Sequence, residues 1–161
     1  MLRYVSRLVI LLGWIAATPA LAQSPDESGN AATTASAVAY LDTYGDLDVD
    51  ALSRIYAEDA RFVDETSLIL PDPFNWEGRD AILAGIRGWR EASLRHIDYE
   101  LSSIFEAADR VVFVGDVLTE RDGPDGPVRY RYPAVTIVTL SDGMVVEHRD
   151  YIDYRGGLRI D

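Results

Sequence analysis

The chain predicts an α+β domain in which three helices cover one face of a strongly curved, mostly antiparallel sheet. Three observations carry this prediction. Apolar residues recur at helical spacing through the first half. Long extended segments rich in β-branched and aromatic residues fill the second half, and clusters of Gly, Pro, Ser and Asp separate them. With 161 residues there is room for one full core but not for two.

The first 22 residues stand apart. Arg3 and Arg7 precede an apolar run over residues 8–17, and Ala20-Leu21-Ala22 offers small side chains to a signal peptidase. Cleavage is expected after Ala22, giving a periplasmic or secreted protein. The apolar run is about half the roughly 20 residues that a membrane-spanning helix needs, so no membrane association is expected after cleavage. Residues 23–34 are polar and small, and are expected to form a flexible linker ahead of a single domain over 35–161.

Within that domain, Ala37, Val38, Tyr40, Leu41 and Tyr44 mark a helix over 35–44. Leu52, Ile55 and Tyr56 mark a second over 50–57. A short strand is expected over 60–64, then an irregular stretch containing Pro71, Pro73 and Trp76. Gly78-Arg79-Asp80 opens a third helix reaching to about Arg95, with Ile82, Leu83, Ile86 and Trp89 as its buried stripe and His96 capping its C-terminal end. Strands follow over 97–106, 110–121, 128–140 and 145–154, divided by Ala107-Ala108-Asp109, by Gly123-Pro124-Asp125-Gly126-Pro127 and by Ser141-Asp142-Gly143.

Composition removes several function classes. Loss of the leader takes two of 15 basic residues and none of 27 acidic ones, moving the net charge from −12 to −14. Nucleic acid is then an unsuitable partner, since its binding depends on basic side chains neutralising phosphates. The absence of cysteine excludes disulfides and thiolate chemistry, and the absence of lysine excludes Schiff bases. The Asp46, Asp48, Asp50 run and the Asp122–Pro127 loop lack the ligand spacing of a calcium loop, so no metal and no cofactor are expected.

The candidate chemistry centres on the last strand. Alternation puts His148, Asp150 and Ile152 on one face and Arg149, Tyr151 and Asp153 on the other. A second acid, Asp116, interrupts the apolar row Val111 to Leu118. Two carboxylates on strands wrapping one cavity form a site, or else each pairs with an arginine such as Arg131 or Arg149. His148 is a pocket residue or a satisfied core histidine, and Trp76 and Trp89 line either the core or a pocket. The mixed row of Arg149, Tyr151 and Asp153 points to a homodimer through the sheet's outer face.

Tyr40-Leu41-Asp42, the run Leu52 to Ala60, the Trp76-Glu77-Gly78-Arg79-Asp80 helix entry and the closing Arg149-Asp150-Tyr151-Ile152-Asp153 together resemble the nuclear transport factor 2-like superfamily. The branch they resemble is the one containing SnoaL-like proteins, limonene-epoxide-hydrolase-like proteins and ketosteroid isomerases. That resemblance implies a cone, a curved sheet around an apolar pocket closed by helices. In the epoxide hydrolases it implies a water-activating acid at Asp150 and a proton-donating acid at Asp116. The arginine between the two acids falls at Val114, and the water-holding Tyr and Asn fall at Phe62 and Asp64, so only the acids are kept. Without that arginine, like charges in an apolar pocket would push one carboxyl pKa upward. His148 could then serve as the base or, as a cation, replace the arginine.

The isomerase branch implies an oxyanion-donating phenol at Tyr40 and a proton shuttle at Asp64. Its third acid falls near Ala134 to Thr136, where no carboxylate stands. Tyr40 could equally be a core aromatic, and Asp64 could simply end its strand. Two functions follow from the whole. One is a cofactor-independent hydrolase, isomerase or cyclase acting on a small apolar, oxygen-bearing molecule, with Asp150, Asp116, His148 and Asp64 as its acid/base groups and Tyr40, Phe62, Trp76, Trp89, Val114 and Ile152 around the ligand. The other is a non-catalytic binding or dimerisation module of the same fold.

Overall fold

A computed structural model describes residues 27–160; the expected signal peptide, its cleavage site and the start of the expected linker lie outside them. Helix α1 (Glu27–Gly45) replaces the rest of that linker, because Ala31, Ala32, Ala35, Ala37 and Ala39 are strong helix formers. The Thr34 hydroxyl also ties this segment to Glu106 on the sheet. Ala37, Tyr40, Leu41 and Tyr44 bury one stripe of α1. The helix stops where it meets the sheet: a Cβ on Gly45 would sit 2.3 Å from the Ile97 carbonyl oxygen, a distance only glycine permits.

Helix α2 (Val49–Ile55) starts at Asp48, whose carboxylate accepts the Ala51 amide at 3.0 Å as an N-cap. Strand β1 (Tyr56–Asp64) follows directly, then a single 3₁₀ turn, the short β2 (Asn75–Glu77) and α3 (Arg79–Glu91), which buries Ile82, Leu83 and Ile86. Four strands complete the main sheet: β3 (Leu94–Ala107), β4 (Arg110–Gly123), β5 (Gly126–Ser141) and β6 (Met144–Ile152). A last short strand, β7 (Leu158–Ile160), lies beyond them. The order is β2-β1-β6-β5-β4-β3, with β7 also on β5; β1 and β6 run parallel and every other neighbour is antiparallel. This is the expected α+β cone, three helices on a curled sheet.

Three local details differ from the sequence reading. Helix α3 ends at Glu91, so His96 belongs to β3 and caps nothing; its Nδ1 lies 3.6 Å from Asp46. Strands β2 and β7 were too short to carry a periodic signal. Strand β7 pairs with Arg129 to Arg131 along the same edge of β5 that β6 leaves at Ala134, so Asp153 to Gly157 form a loop between two collinear strands. Among the described residues no helix is long and apolar enough to cross a membrane.

Candidate active site

Which face of each strand turns inward fixes the site. On β4, Val111, Phe113 and Val117 are buried; on β5, Thr136, Val138 and Leu140. On β6 a register shift opposite Thr139 and Leu140 resets the alternation, so that Val145 and then His148, Asp150 and Ile152 all face inward. On β1, Phe62 and Asp64 are buried in parallel register with His148 and Asp150. Four polar or aromatic groups thus meet across two neighbouring strands.

Phe62, Asp64 and Asp150 form the inner end of a hollow with about 550 Å³ of atom-free space, its open mouth included, and His148 lies behind them. Tyr44, Phe62, Asp64 and Asp150 make the floor, and Phe74, Trp89, Leu94, Ile97 and Val117 make apolar walls. Thr119, Arg121, Tyr132 and Tyr154 line it toward solvent. The walls are largely aromatic, with Trp89 packed edge-on against Phe62 at 5.6 Å and against Phe74 at 5.2 Å.

At the floor, Asp150 is 3 % exposed and each of its carboxylate oxygens has a hydrogen-bond partner. Thr136 donates its hydroxyl to Oδ1 at 2.5 Å, and His148 Nε2 lies 2.8 Å from Oδ2. Behind the imidazole, Tyr40 OH is 2.6 Å from His148 Nδ1, and Tyr40 OH in turn contacts Tyr56 OH. Burial raises the pKa of both phenols, and the neighbouring tyrosines raise Tyr40 further, so each keeps its single proton. With a neutral imidazole the donors then run one way: Tyr56 to Tyr40, Tyr40 to Nδ1, and Nε2–H to an ionised Asp150. The His148 ring is also clamped, stacked on Phe62 at 4.6 Å and tilted against Tyr44 at 4.8 Å.

Asp64 is held differently. Its Oδ1 accepts the Thr66 amide at 2.9 Å, the Ser67 amide at 3.2 Å and the Thr66 hydroxyl, while Oδ2 accepts Tyr154 OH at 2.5 Å. The carboxylate therefore orders the turn after β1 and fastens the loop after β6 across the cavity. Tyr154 has its pKa raised by burial first and by this bond to Asp64 next, so it stays a donor.

The structure brings together Asp150, Asp64, Phe62, Trp89 and Ile152 as cavity residues, with His148 directly behind Asp150. Four assignments are corrected. Asp116 lies between inward-facing Gly115 and Val117, so its side chain points to the outer face, where Arg131 Nη1 is 3.8 Å away and Glu100 is its cross-strand neighbour. It forms no acid pair with Asp150. Val114 shares that outer face, opposite Val135. Tyr40 is buried behind His148 rather than at the ligand's surface, and Trp76 stacks on the far side of Phe62 at 5.1 Å. The replacement of the arginine at Val114 therefore has no bearing on the cavity.

Tyr99, Thr136, Tyr132, Tyr154 and Arg121 were missed. Tyr99 lines the cavity with its pKa raised by burial and then by the charge of Asp150, which marks it as a neutral donor close to that carboxylate. Its signal was available in principle, since strand alternation puts Ile97 and Tyr99 on one face of β3.

Comparison with known proteins agrees with this architecture. The family model described as "SnoaL-like domain" matches residues 37–148, ending two positions before Asp150. Among solved structures, a proposed SnoaL-like polyketide cyclase from Shewanella putrefaciens CN-32 is 23% identical with a TM-score of 0.67, covering 78% of this chain and 92% of its own. An M. tuberculosis LEH-like epoxide hydrolase is 14% identical with a TM-score of 0.63, over 80% of this chain and 87% of its own. A phenazine biosynthesis-related protein from Pseudomonas aeruginosa is 13% identical at TM-score 0.64, covering 86% of each chain. No curated protein matches. At these identities the structural likeness establishes the cone fold, while the match over residues 37–148 establishes the family: the chain belongs to the SnoaL-like domain proteins.

Proposed function

We propose that the domain is a cofactor-independent acid/base enzyme acting on a small apolar, oxygen-bearing molecule, with Asp150 as the group that takes and returns the proton. The observation that carries this reading is a buried carboxylate at the floor of an apolar cavity, oriented by Thr136 at 2.5 Å and by His148 at 2.8 Å. Such a carboxylate can remove a proton from carbon beside a carbonyl, a step in which a positioned base contributes about 10²–10⁴-fold. His148 holds Asp150 in place from behind, and Tyr99 supplies a phenol on the same cavity wall for oxygen that gains charge.

The test uses hydrogen exchange in D₂O. The mature protein is expected to catalyse exchange of the acidic hydrogens of an apolar ketone or β-keto ester, and Asp150→Asn to lower that rate by at least about 100-fold. Asparagine can still accept from His148 Nε2 with its one carbonyl oxygen while its amide donates to the Thr136 hydroxyl, so the melting temperature should stay within a few degrees. Binding of the ketone without exchange in the parent protein would sink the catalytic reading and leave the alternative, a ligand-binding module. That alternative draws support from Asp64, whose bonds to Thr66, Ser67 and Tyr154 are those of a structural carboxylate.

Export after cleavage at Ala22 belongs to the same proposal, with Arg3, Arg7 and the apolar run as its support. So does a homodimer. Phe105, Val112 and Ile137 align in one cross-strand row of the outer face, and Val114, Val135 and Tyr151 in the next. Phe105 is 58% exposed and Tyr151 43%. An apolar patch of this kind asks for cover by a second copy. Sedimentation should find a species of twice the roughly 15 kDa of a single compact domain, and a monomer at every concentration would count against it.

A further inference from the structure

We infer that the ligand of this cavity carries an anionic group, a carboxylate in the first instance, which Arg121 receives at the mouth while the apolar body lies against the aromatic walls. The inference rests on the cavity being a small-molecule site and adds the substrate class. Arg121 is the only basic residue of the lining, against two acids on the floor. Its position follows from alternation: on β4, Val117, Thr119 and Arg121 share the inner face while Glu120 and Asp122 face outward.

Its place on the cavity lining together with the lack of an acid partner singles this residue out. The two carboxylates beside it in sequence are already taken, Glu120 by Arg129 at 3.9 Å and Asp122 by Arg95. Arg131 and Arg149 likewise hold acids, and no described carboxylate lies within 4.0 Å of Arg121. In a mature protein of net charge −14, a solvent-facing guanidinium left without an acid, on the rim of an apolar hollow, is a local reversal of the field. Its charge also acts on Tyr132 beside it, where it offsets part of the rise that burial imposes on that phenol. A planar guanidinium presents paired donors matched to a carboxylate, which an ammonium or hydroxyl would not.

The arrangement orders the ligand. With the anion at Arg121, an aromatic or alicyclic body passes between Trp89, Phe74 and Val117, and the end remote from the anion approaches Asp150 on the floor. A dicarboxylate of similar length would put its second charge against Asp64 and Asp150 and is disfavoured.

The experiment is isothermal titration of the mature protein with 4-tert-butylbenzoate and with its neutral isostere 4-tert-butylbenzamide, in the parent, Arg121→Gln and Asp150→Asn proteins. The parent is expected to bind the benzoate at least about tenfold more tightly than the benzamide. That preference should shrink as salt is raised from about 0.01 M to 1 M. In Arg121→Gln the preference should vanish while benzamide affinity is unchanged, and in Asp150→Asn it should persist. Equal binding of the two probes by the parent, a preference that survives in Arg121→Gln, or equal weakening of both probes in that variant would overturn the role of Arg121 while leaving the cavity a ligand site. Binding of neither probe would overturn both. None of these outcomes depends on turnover, so loss of the acid/base reading by hydrogen exchange is a separate result.

Discussion

Replacing His148 by alanine should lower the unfolding free energy by about 3–5 kcal/mol, since it leaves buried polar groups short of a hydrogen bond and opens a cavity in an aromatic cluster. The imidazole is fully buried and bonds at both nitrogens. Its loss strands the Asp150 carboxylate with Thr136 alone and leaves the Tyr40 and Tyr56 hydroxyls with no acceptor beyond each other. It also opens a hole between Phe62, Tyr44 and Tyr40, whose rings pack on His148 at 4.6, 4.8 and 5.6 Å. A melting temperature lower by roughly 10 °C or more is the expected reading for a domain of this size. Asp116→Asn is the contrast. That side chain is partly exposed and pairs across 3.8 Å with Arg131 on the outer face, so its loss should cost at most about 1 kcal/mol. A His148→Ala protein as stable as the parent would show that the Tyr40–His148–Asp150 chain is not formed.

Stability should also fall steeply in alkali. Tyr40, Tyr44, Tyr56 and Tyr99 all have raised pKa values, with burial the first cause in each, joined for Tyr40, Tyr44 and Tyr99 by neighbouring phenols and for Tyr44, Tyr56 and Tyr99 by the charge of Asp150; on Tyr56 the hydrogen bond with Tyr40 works the other way. In the unfolded chain these groups ionise near pH 10. Below that pH both states hold the protons and the tyrosines add no pH dependence. Above it the unfolded state releases protons that the folded state keeps, so unfolding is favoured by about 1.4 kcal/mol per pH unit for each tyrosine and by about 5.5 for the four together. Urea midpoints measured from about pH 8 to pH 11 should stay level at first and then drop, with phenolate absorbance rising together with the loss of far-UV circular dichroism. Phenolate absorbance beyond that of the exposed tyrosines, such as Tyr151, in a chain that keeps its native spectrum would mean that these four are open to water.

Both expectations depend on a site that was only partly legible beforehand. The stripe Ala37, Tyr40, Leu41, Tyr44 and the stripe Ile82, Leu83, Ile86 are the buried faces of α1 and α3, because a period of 3.6 leaves no choice of face. On β6 the polar interruptions at His148 and Asp150 made the alternation readable, and both residues are buried as that pattern requires. Strand β4 was not readable in the same way. Val111, Val112, Phe113 and Val114 are all apolar, since the inner row packs in the core and the outer row forms the exposed patch, so composition does not reveal the phase. Asp116 could then be assigned to either face, and it takes the outer one.

The linker shows the same limit in another form. Ser, Gly and Asn suggest a tether, but alanines within reach of the sheet let α1 extend back to Glu27. Tyr154 and Arg121 had no motif to announce them. One reaches Asp64 through a loop between collinear strands, and the other lines the cavity while its neighbours in sequence, Glu120 and Asp122, pair with Arg129 and Arg95.

By itself the sequence determined the three helices, the five longer strands, their order, the helix faces and the family, because these rest on periodicity and on motifs read over a few residues at a time. The tertiary structure decided which acid meets the histidine, which arginine lines the cavity and where the cavity opens. Those depend on strand register, on the shift in β6 and on the curvature of the sheet, and each is set by contacts between residues far apart in the chain.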